Sequence, residues 1–206
     1  MKMGLPARKM DEHYTYGMYA TWPNEERWEL IDGVAYNMSP APSSRHQVIL
    51  WNLIRDFDRF FKGNPCKPFA VPFDVLFPAA LDQAQDDVDT VVQPDLVVIC
   101  DRSKITASGC LGAPDLCVEI LSYWTKKKDI AEKFALYERS GVREYWIIDP
   151  ADQTIELYGL AETVEGKKPR YGEARYAGLN ERLPASIESG AFPGLIVDCI
   201  ELFKEF

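Results

Sequence analysis

The sequence predicts one α/β domain, a mixed sheet flanked by helices, with added hairpins towards the N- and C-terminal ends. Three observations predict it. Amphipathic helical stretches alternate with short apolar runs in the order helix, three strands, helix, strand. The run Asp115 to Ser122 (DLCVEILS) is apolar enough to lie centrally in a sheet. A hydrophobic content of 47% over 206 residues allows one sizeable core, so residues 1–206 form one unit. Its core spans about 28–150, and 151–206 is an extension.

The elements follow in order. Residues 13–19 form a short helix before the Trp22–Pro23 turn. Trp28 to Tyr36 reads as a hairpin, because two apolar segments flank Asp32–Gly33, a strong two-residue turn signal. Ser43 or Ser44 caps a helix over about 45–62, which places His46, Leu50, Leu53, Phe57 and Phe60 on one face. Strands follow at 69–77, 91–100 and 115–122, with an acidic loop at 81–89 and a polar connection at 101–114. A second helix runs over about 128–140 and stops at Gly141; a strand at Glu144 to Asp149 ends at Pro150. A hairpin at 154–160, a loop rich in Gly, Lys and Arg, and a short segment at 195–203 complete the chain.

Composition narrows the function classes. No apolar run approaches the ~20 residues of a membrane span, and no apolar stretch follows the basic N-terminus as a secretory leader would require. Five cysteines, odd in number and without CxxC spacing, predict free thiols packed as small hydrophobes in a reducing cytoplasm, and no zinc site. A formal charge of −9 argues against indiscriminate coating of nucleic acid, which needs Lys and Arg against phosphate. It leaves room for an enzyme with a local basic groove, and clustered carboxylates are what a divalent metal needs.

Strand alternation picks out two carboxylates. In QPDLVVI, Asp95 shares a face with Val97 and Ile99; in DLCVEIL, Glu119 shares one with Cys117 and Asp115. If the strands pair antiparallel with Asp95 opposite Glu119, then Val97 falls opposite Cys117 and Ile99 opposite Asp115. Both carboxylates would then lie on one side, ~5 Å apart at Cβ. Such a pair repels unless a cation or a proton intervenes, and Mg²⁺ is commonly held by one or two carboxylates with waters and phosphate oxygens. The plain structural reading makes Asp95 a strand-start residue and Glu119 the partner of an arginine. Against it, Glu119 lies between Val118 and Ile120, where an uncompensated charge is expensive.

Lys133 supplies a third group. It falls within the apolar stripe of Ile130, Phe134 and Tyr137, so it either snorkels to solvent or reaches over the sheet to the carboxylates. In the second case it would orient a water or offset charge building on a phosphate. His46, on the inward helix face, is either a structural histidine or a contact to this site. Glu29 and Asp74 are acids inside apolar strand-like runs and face the same choice.

These pieces resemble a known family. WELIDGVAYNMSPAP, SSRHQ, QPDLVVI, GAPDLCVEILS, the block DIAEKFALYERSGVREYWIIDP and FPGLIVD match, in order, the Uma-type putative restriction endonucleases of the PD-(D/E)xK nuclease superfamily. The resemblance spans about 28–198. It implies a restriction-endonuclease-like core and a Mg²⁺-dependent endonuclease, with Mn²⁺ able to substitute, that hydrolyses DNA and pairs as a homodimer. Asp95 and Glu119 would be the motif acids, with the carbonyl of Ile120 as a further metal ligand. The superfamily lysine would fall at 121, where this chain has Leu121; in this branch the lysine has moved to the following helix, and Lys133 is the matching position. Glu29, His46 and Asp74 match positions that are functional or near-functional in the family. Tyr123–Trp124–Thr125 replaces the branch's usual Pro and Ser/Thr. The competing expectation is a nuclease-fold binding module that has lost turnover. Trp22, Trp28, Phe203 and Phe206 are candidates for a subunit interface or for core edge.

Overall fold

The computed structural model describes residues 8–9, 12–23, 27–38, 42–122, 126–161 and 168–204. In chain order the elements are β1 (Arg8–Lys9), α1 (Tyr16–Tyr19), β2 (Trp28–Ile31), β3 (Val34–Asn37), α2 (Ser44–Phe61), β4 (Lys67–Ala70) and β5 (Asp74–Leu76). There follow β6 (Val91–Val92), β7 (Leu96–Ile99), β8 (Ile105–Thr106), β9 (Gly109–Leu111), β10 (Leu116–Ile120), α3 (Lys126–Ser140) and β11 (Glu144–Asp149). The last are β12 (Thr154–Gly159), β13 (Arg175–Gly178), β14 (Ser186–Glu188), β15 (Ile196–Asp198) and α4 (Cys199–Phe203). The α/β class with mixed sheets and flanking helices is observed.

Two sheets carry the architecture. One has the order β1-β3-β2-β6-β5-β9-β8, the other β13-β12-β11-β10-β7-β4, and β14-β15 forms a separate ribbon. Each large sheet is mixed: β10 runs parallel to β11 and β5 parallel to β9, while their other pairings are antiparallel. The β2–β3 hairpin turns at Asp32 (φ 51°) and Gly33 (φ 74°), the two left-handed positions that a tight hairpin needs. A side chain at Gly33 would also collide with the His13 ring.

The expected strands at 69–77 and 91–100 each divide in two. β4 and β7 lie in the six-stranded sheet, whereas β5 and β6 lie in the seven-stranded one. The breaks fall at Pro72, after a cis peptide bond, and at Pro94. Proline has no N–H to give to a ladder, so each run crosses between sheets there. The connection at 101–114, expected to lack strands, contains the β8–β9 hairpin.

The six-stranded sheet is covered on both faces. Leu96, Val98, Leu116, Val118 and Ile120 pack against Leu50, Leu53 and Phe57 of α2 and against Leu195, Val197 and Phe203. On the other face Val97, Ile99, Cys117 and Leu121 meet Leu136 and Tyr137 of α3, with Val75 and Val92 from the second sheet. Fully burying an aliphatic or Phe side chain is worth about 1.5–3 kcal/mol, so these two cores fix the strands on which the site is built.

One expectation is corrected, and one open choice falls to the core. Cys66 and Cys100 form a disulfide, because the Lys67↔Ile99 pairing brings their neighbours side by side; Cys110, Cys117 and Cys199 are buried free thiols. Trp28 and Phe203, only 5% and 4% exposed, belong to the core. Trp22 stacks edge-on to Trp28, and Phe206 lies outside the described residues, as do Tyr123, Trp124 and Thr125. Among the described residues no helix is long and apolar enough to cross a membrane.

Candidate active site

The site forms where β7 begins and β10 ends. Their register pairs Cys117 with Val97 and Val118 with Leu96, the antiparallel register derived from the sequence. Asp95 lies just before the ladder, and its Oδ2 accepts from the Ile120 backbone N–H at 2.7 Å. The same oxygen meets His46 Nε2 at 3.2 Å. His46 reaches it from the first turn of α2, where its own N–H donates to the capping Ser43 hydroxyl. The His46 ring is buried, and its Nδ1 has no hydrogen-bond partner among the described residues.

Glu119 faces α3 and the second sheet. Its Oε1 accepts from Lys133 Nζ at 2.9 Å and from the Tyr137 hydroxyl at 2.7 Å. Lys133 also lies 3.0 Å from Oε1 of Glu29, on β2 of the other sheet. The lysine does not snorkel: it is 4% exposed, and Glu29 and Glu119 are 7% and 6% exposed. A charge buried so deeply needs close, opposite partners, and two carboxylates supply them.

A further polar cluster adjoins Glu29. The Gln93 backbone N–H donates to Glu29 Oε1 at 2.9 Å, and the Gln93 side chain donates to Asp74 Oδ1 at 2.8 Å. Tyr19 donates to the same Asp74 oxygen, and Arg27 donates to Gln93 Oε1 at 2.8 Å. Asp74 thus joins the site through Gln93.

Electrostatics follow from burial. The Tyr137 hydroxyl is pushed well above its usual range, first by burial and then by the Glu119 charge, so it can only donate to that carboxylate. Burial likewise raises the Cys117 thiol beside Glu119, which keeps it an inert thiol. Burial raises the Asp74 carboxyl, while hydrogen bonds from Gln93 and Tyr19 work in the opposite direction.

The residues singled out in the sequence therefore fall into two contacting groups, Asp95 with His46 and Ile120, and Glu119 with Lys133 and Glu29. Sequence reasoning missed Tyr137, treated as core, and Gln93. Tyr137 had a signal: it stands four residues after Lys133, one helical turn along the same face. Gln93 had none beyond its place before Pro94–Asp95.

The donor chemistry can be tested against a metal. Among the described residues no three His, Cys, Asp or Glu side chains converge into a group that could hold a metal ion. Two hard carboxylates from adjacent strands are a sufficient protein share for Mg²⁺ or Mn²⁺, which retain waters and take substrate oxygens.

A sequence model described as "Uma2: Putative restriction endonuclease" matches residues 16–196. The chain belongs to the Uma2 family. Its fold is also that of a crystal structure described as a putative nuclease belonging to DUF820 from Anabaena variabilis, with a TM-score of 0.69. The two are 21% identical, over 92% of this chain and 97% of that one, so the likeness speaks for the fold alone. No curated protein matches the sequence. Within the Uma2 match lie Glu29, His46, Asp74, Asp95, Glu119 and Lys133 together.

Proposed function

We propose that this member of the Uma2 family is a Mg²⁺-dependent endonuclease that hydrolyses DNA phosphodiester bonds, with Mn²⁺ able to replace Mg²⁺. One observation carries the reading: Lys133 is held 2.9 Å from Glu119, beside the strand end at which Asp95 is fixed. A buried ammonium next to two strand-borne carboxylates is costly to build and suits charge stabilisation on a phosphate.

Asp95 and Glu119, with the Ile120 carbonyl, would hold the metal. When bound, it would supply Lewis-acid stabilisation of the phosphate and a more acidic water. The chain's own residues do the rest. Lys133 faces the scissile phosphate and offsets the charge that grows on its oxygens. Glu29 and Tyr137 fix that ammonium and the Glu119 carboxylate in one geometry, so little reorganisation is needed as the reaction proceeds. His46 holds Asp95 from the opposite side through Nε2. Two copies acting together would suit the cutting of two strands.

The chain carries 32 acidic against 23 basic residues, so binding to DNA depends on local groups rather than on net charge. The competing reading is an inactive binding module. Cleavage of supercoiled and linear DNA with Mg²⁺ or Mn²⁺ separates the two, using wild type and Glu119→Ala. Metal-dependent cleavage lost in the variant is expected; equal cleavage by both proteins, or none by either, overturns the proposal.

A further inference from the structure

Gln93 stands at the crossing between the two sheets, after β6 and before Pro94 and Asp95. Its backbone N–H and both ends of its side-chain amide are used. The backbone N–H goes to Glu29, the amide nitrogen to Asp74 and, at 3.4 Å, to the Tyr19 hydroxyl, and the amide oxygen takes the Arg27 guanidinium. Of the side chains of this length, only a carboxamide donates to a carboxylate while accepting from an arginine. Glutamate would set a second negative charge against Asp74, and methionine would fill the space without either bond.

The contacts run in one direction. Asp74, Tyr19 and Arg27 hold the Gln93 side chain; the Gln93 backbone holds Glu29; Glu29 shares Lys133 with Glu119. We propose that Gln93 is a positioning residue, which keeps Glu29 turned onto Lys133 and so keeps the ammonium seated against Glu119. It acts on Lys133 and Glu119 through Glu29. The chain of contacts joins β5, β6 and β2 of the seven-stranded sheet to α3 and β10, so it also couples the two halves of the fold at the site.

This inference rests on the nuclease reading only for its turnover arm, and its main readout needs neither DNA nor metal. Solvent exchange of the Lys133 Nζ protons at fixed pH, followed by NMR on the metal-free protein, reports how firmly the ammonium is held. Gln93→Met should speed that exchange about tenfold, the scale expected when hydrogen bonds anchoring a charged group are lost. Gln93→Glu should do the same. Combining Gln93→Glu with Asp74→Asn exchanges donor and acceptor across the same contact. A carboxamide at position 74 then donates to a carboxylate at position 93, and exchange should return close to wild type. In cleavage assays Gln93→Met should lower kcat about tenfold with KM within about twofold, since the residue acts on charge stabilisation rather than substrate binding.

Unchanged Lys133 exchange in folded Gln93→Met, or a double variant as fast as Gln93→Glu, overturns the positioning role. Should Gln93→Met not fold, the comparison of Gln93→Glu with the double variant decides by the same criterion. If wild type cuts no DNA, the nuclease reading falls while the exchange experiment still judges Gln93.

Discussion

The Lys133 ammonium and the Glu119 carboxylate meet at 2.9 Å in an interior that leaves each 6% exposed or less. Glu29, 3.0 Å from the same ammonium, is a second negative group, so the lysine separates two buried carboxylates. Removing it leaves them facing each other without that cation. Lys133→Ala is expected to cost about 3–5 kcal/mol, the scale for breaking a buried ion pair from one side. Urea unfolding of the metal-free protein measures it. A loss below about 1 kcal/mol, the level of an exposed pair, would show that the triad is solvated in solution.

Tyr137 shares its target with Lys133, since both groups donate to Glu119 Oε1. Tyr137→Phe removes one hydrogen bond to a charged acceptor and little packing, so about 1.5–3 kcal/mol of stability should go. The same change made in Glu119→Gln should cost less, because the charge that strengthens the bond is absent. A double-mutant cycle reads the difference. Additive losses would mean that the Tyr137 hydroxyl contributes through the core rather than through Glu119.

Local patterns were enough for much of this fold, and their limits are physical. The Asp32–Gly33 turn, the Ser43-capped helix and the run from Glu144 to Asp149 are encoded by neighbouring residues, and the structure has them. The pairing of β7 with β10 was reached by setting Asp95 opposite Glu119, and the observed register agrees with it, although alternation alone would also allow shifts by two residues. Pro72 and Pro94 were the visible signals that two runs would each serve two sheets, but which sheet takes which half depends on distant pairing. The same holds for the site. Alternation places Asp95 and Glu119, and helical spacing places Lys133. The use of Glu29 as the second partner of Lys133 depends on packing two sheets together, which no local pattern encodes.

Metal binding has a readout that does not need turnover. A ligand that binds only the folded protein at about one hundred times its Kd adds about 2.7 kcal/mol to stability. Titration with Mn²⁺ should therefore raise the Tm of wild type, while Asp95→Asn and Glu119→Gln should each abolish most of the rise. The two variants keep side-chain size and hydrogen-bonding oxygens, so lost response reports lost charge at the proposed ligands. An equal rise in all three proteins would place the metal elsewhere.

Asp74 gives the pH dependence a definite sign. Its carboxyl is raised above the usual value by burial, with Gln93 and Tyr19 acting the other way. The folded state therefore holds the Asp74 proton more tightly than the unfolded chain does. That contribution is fully present below the unfolded carboxyl value and is lost as pH rises through the higher folded one. Above that value the ionised group stands in a site that disfavours its charge. Asp74→Asn keeps an oxygen to accept from Tyr19 and removes the charge. The variant should thus gain stability relative to wild type as pH is raised from 4 to 7. Paired urea titrations at the two pH values measure this. A difference that stays constant with pH would show that Asp74 titrates like a solvated carboxylate, and one that grows on acidification would reverse the assignment of burial as the dominant influence.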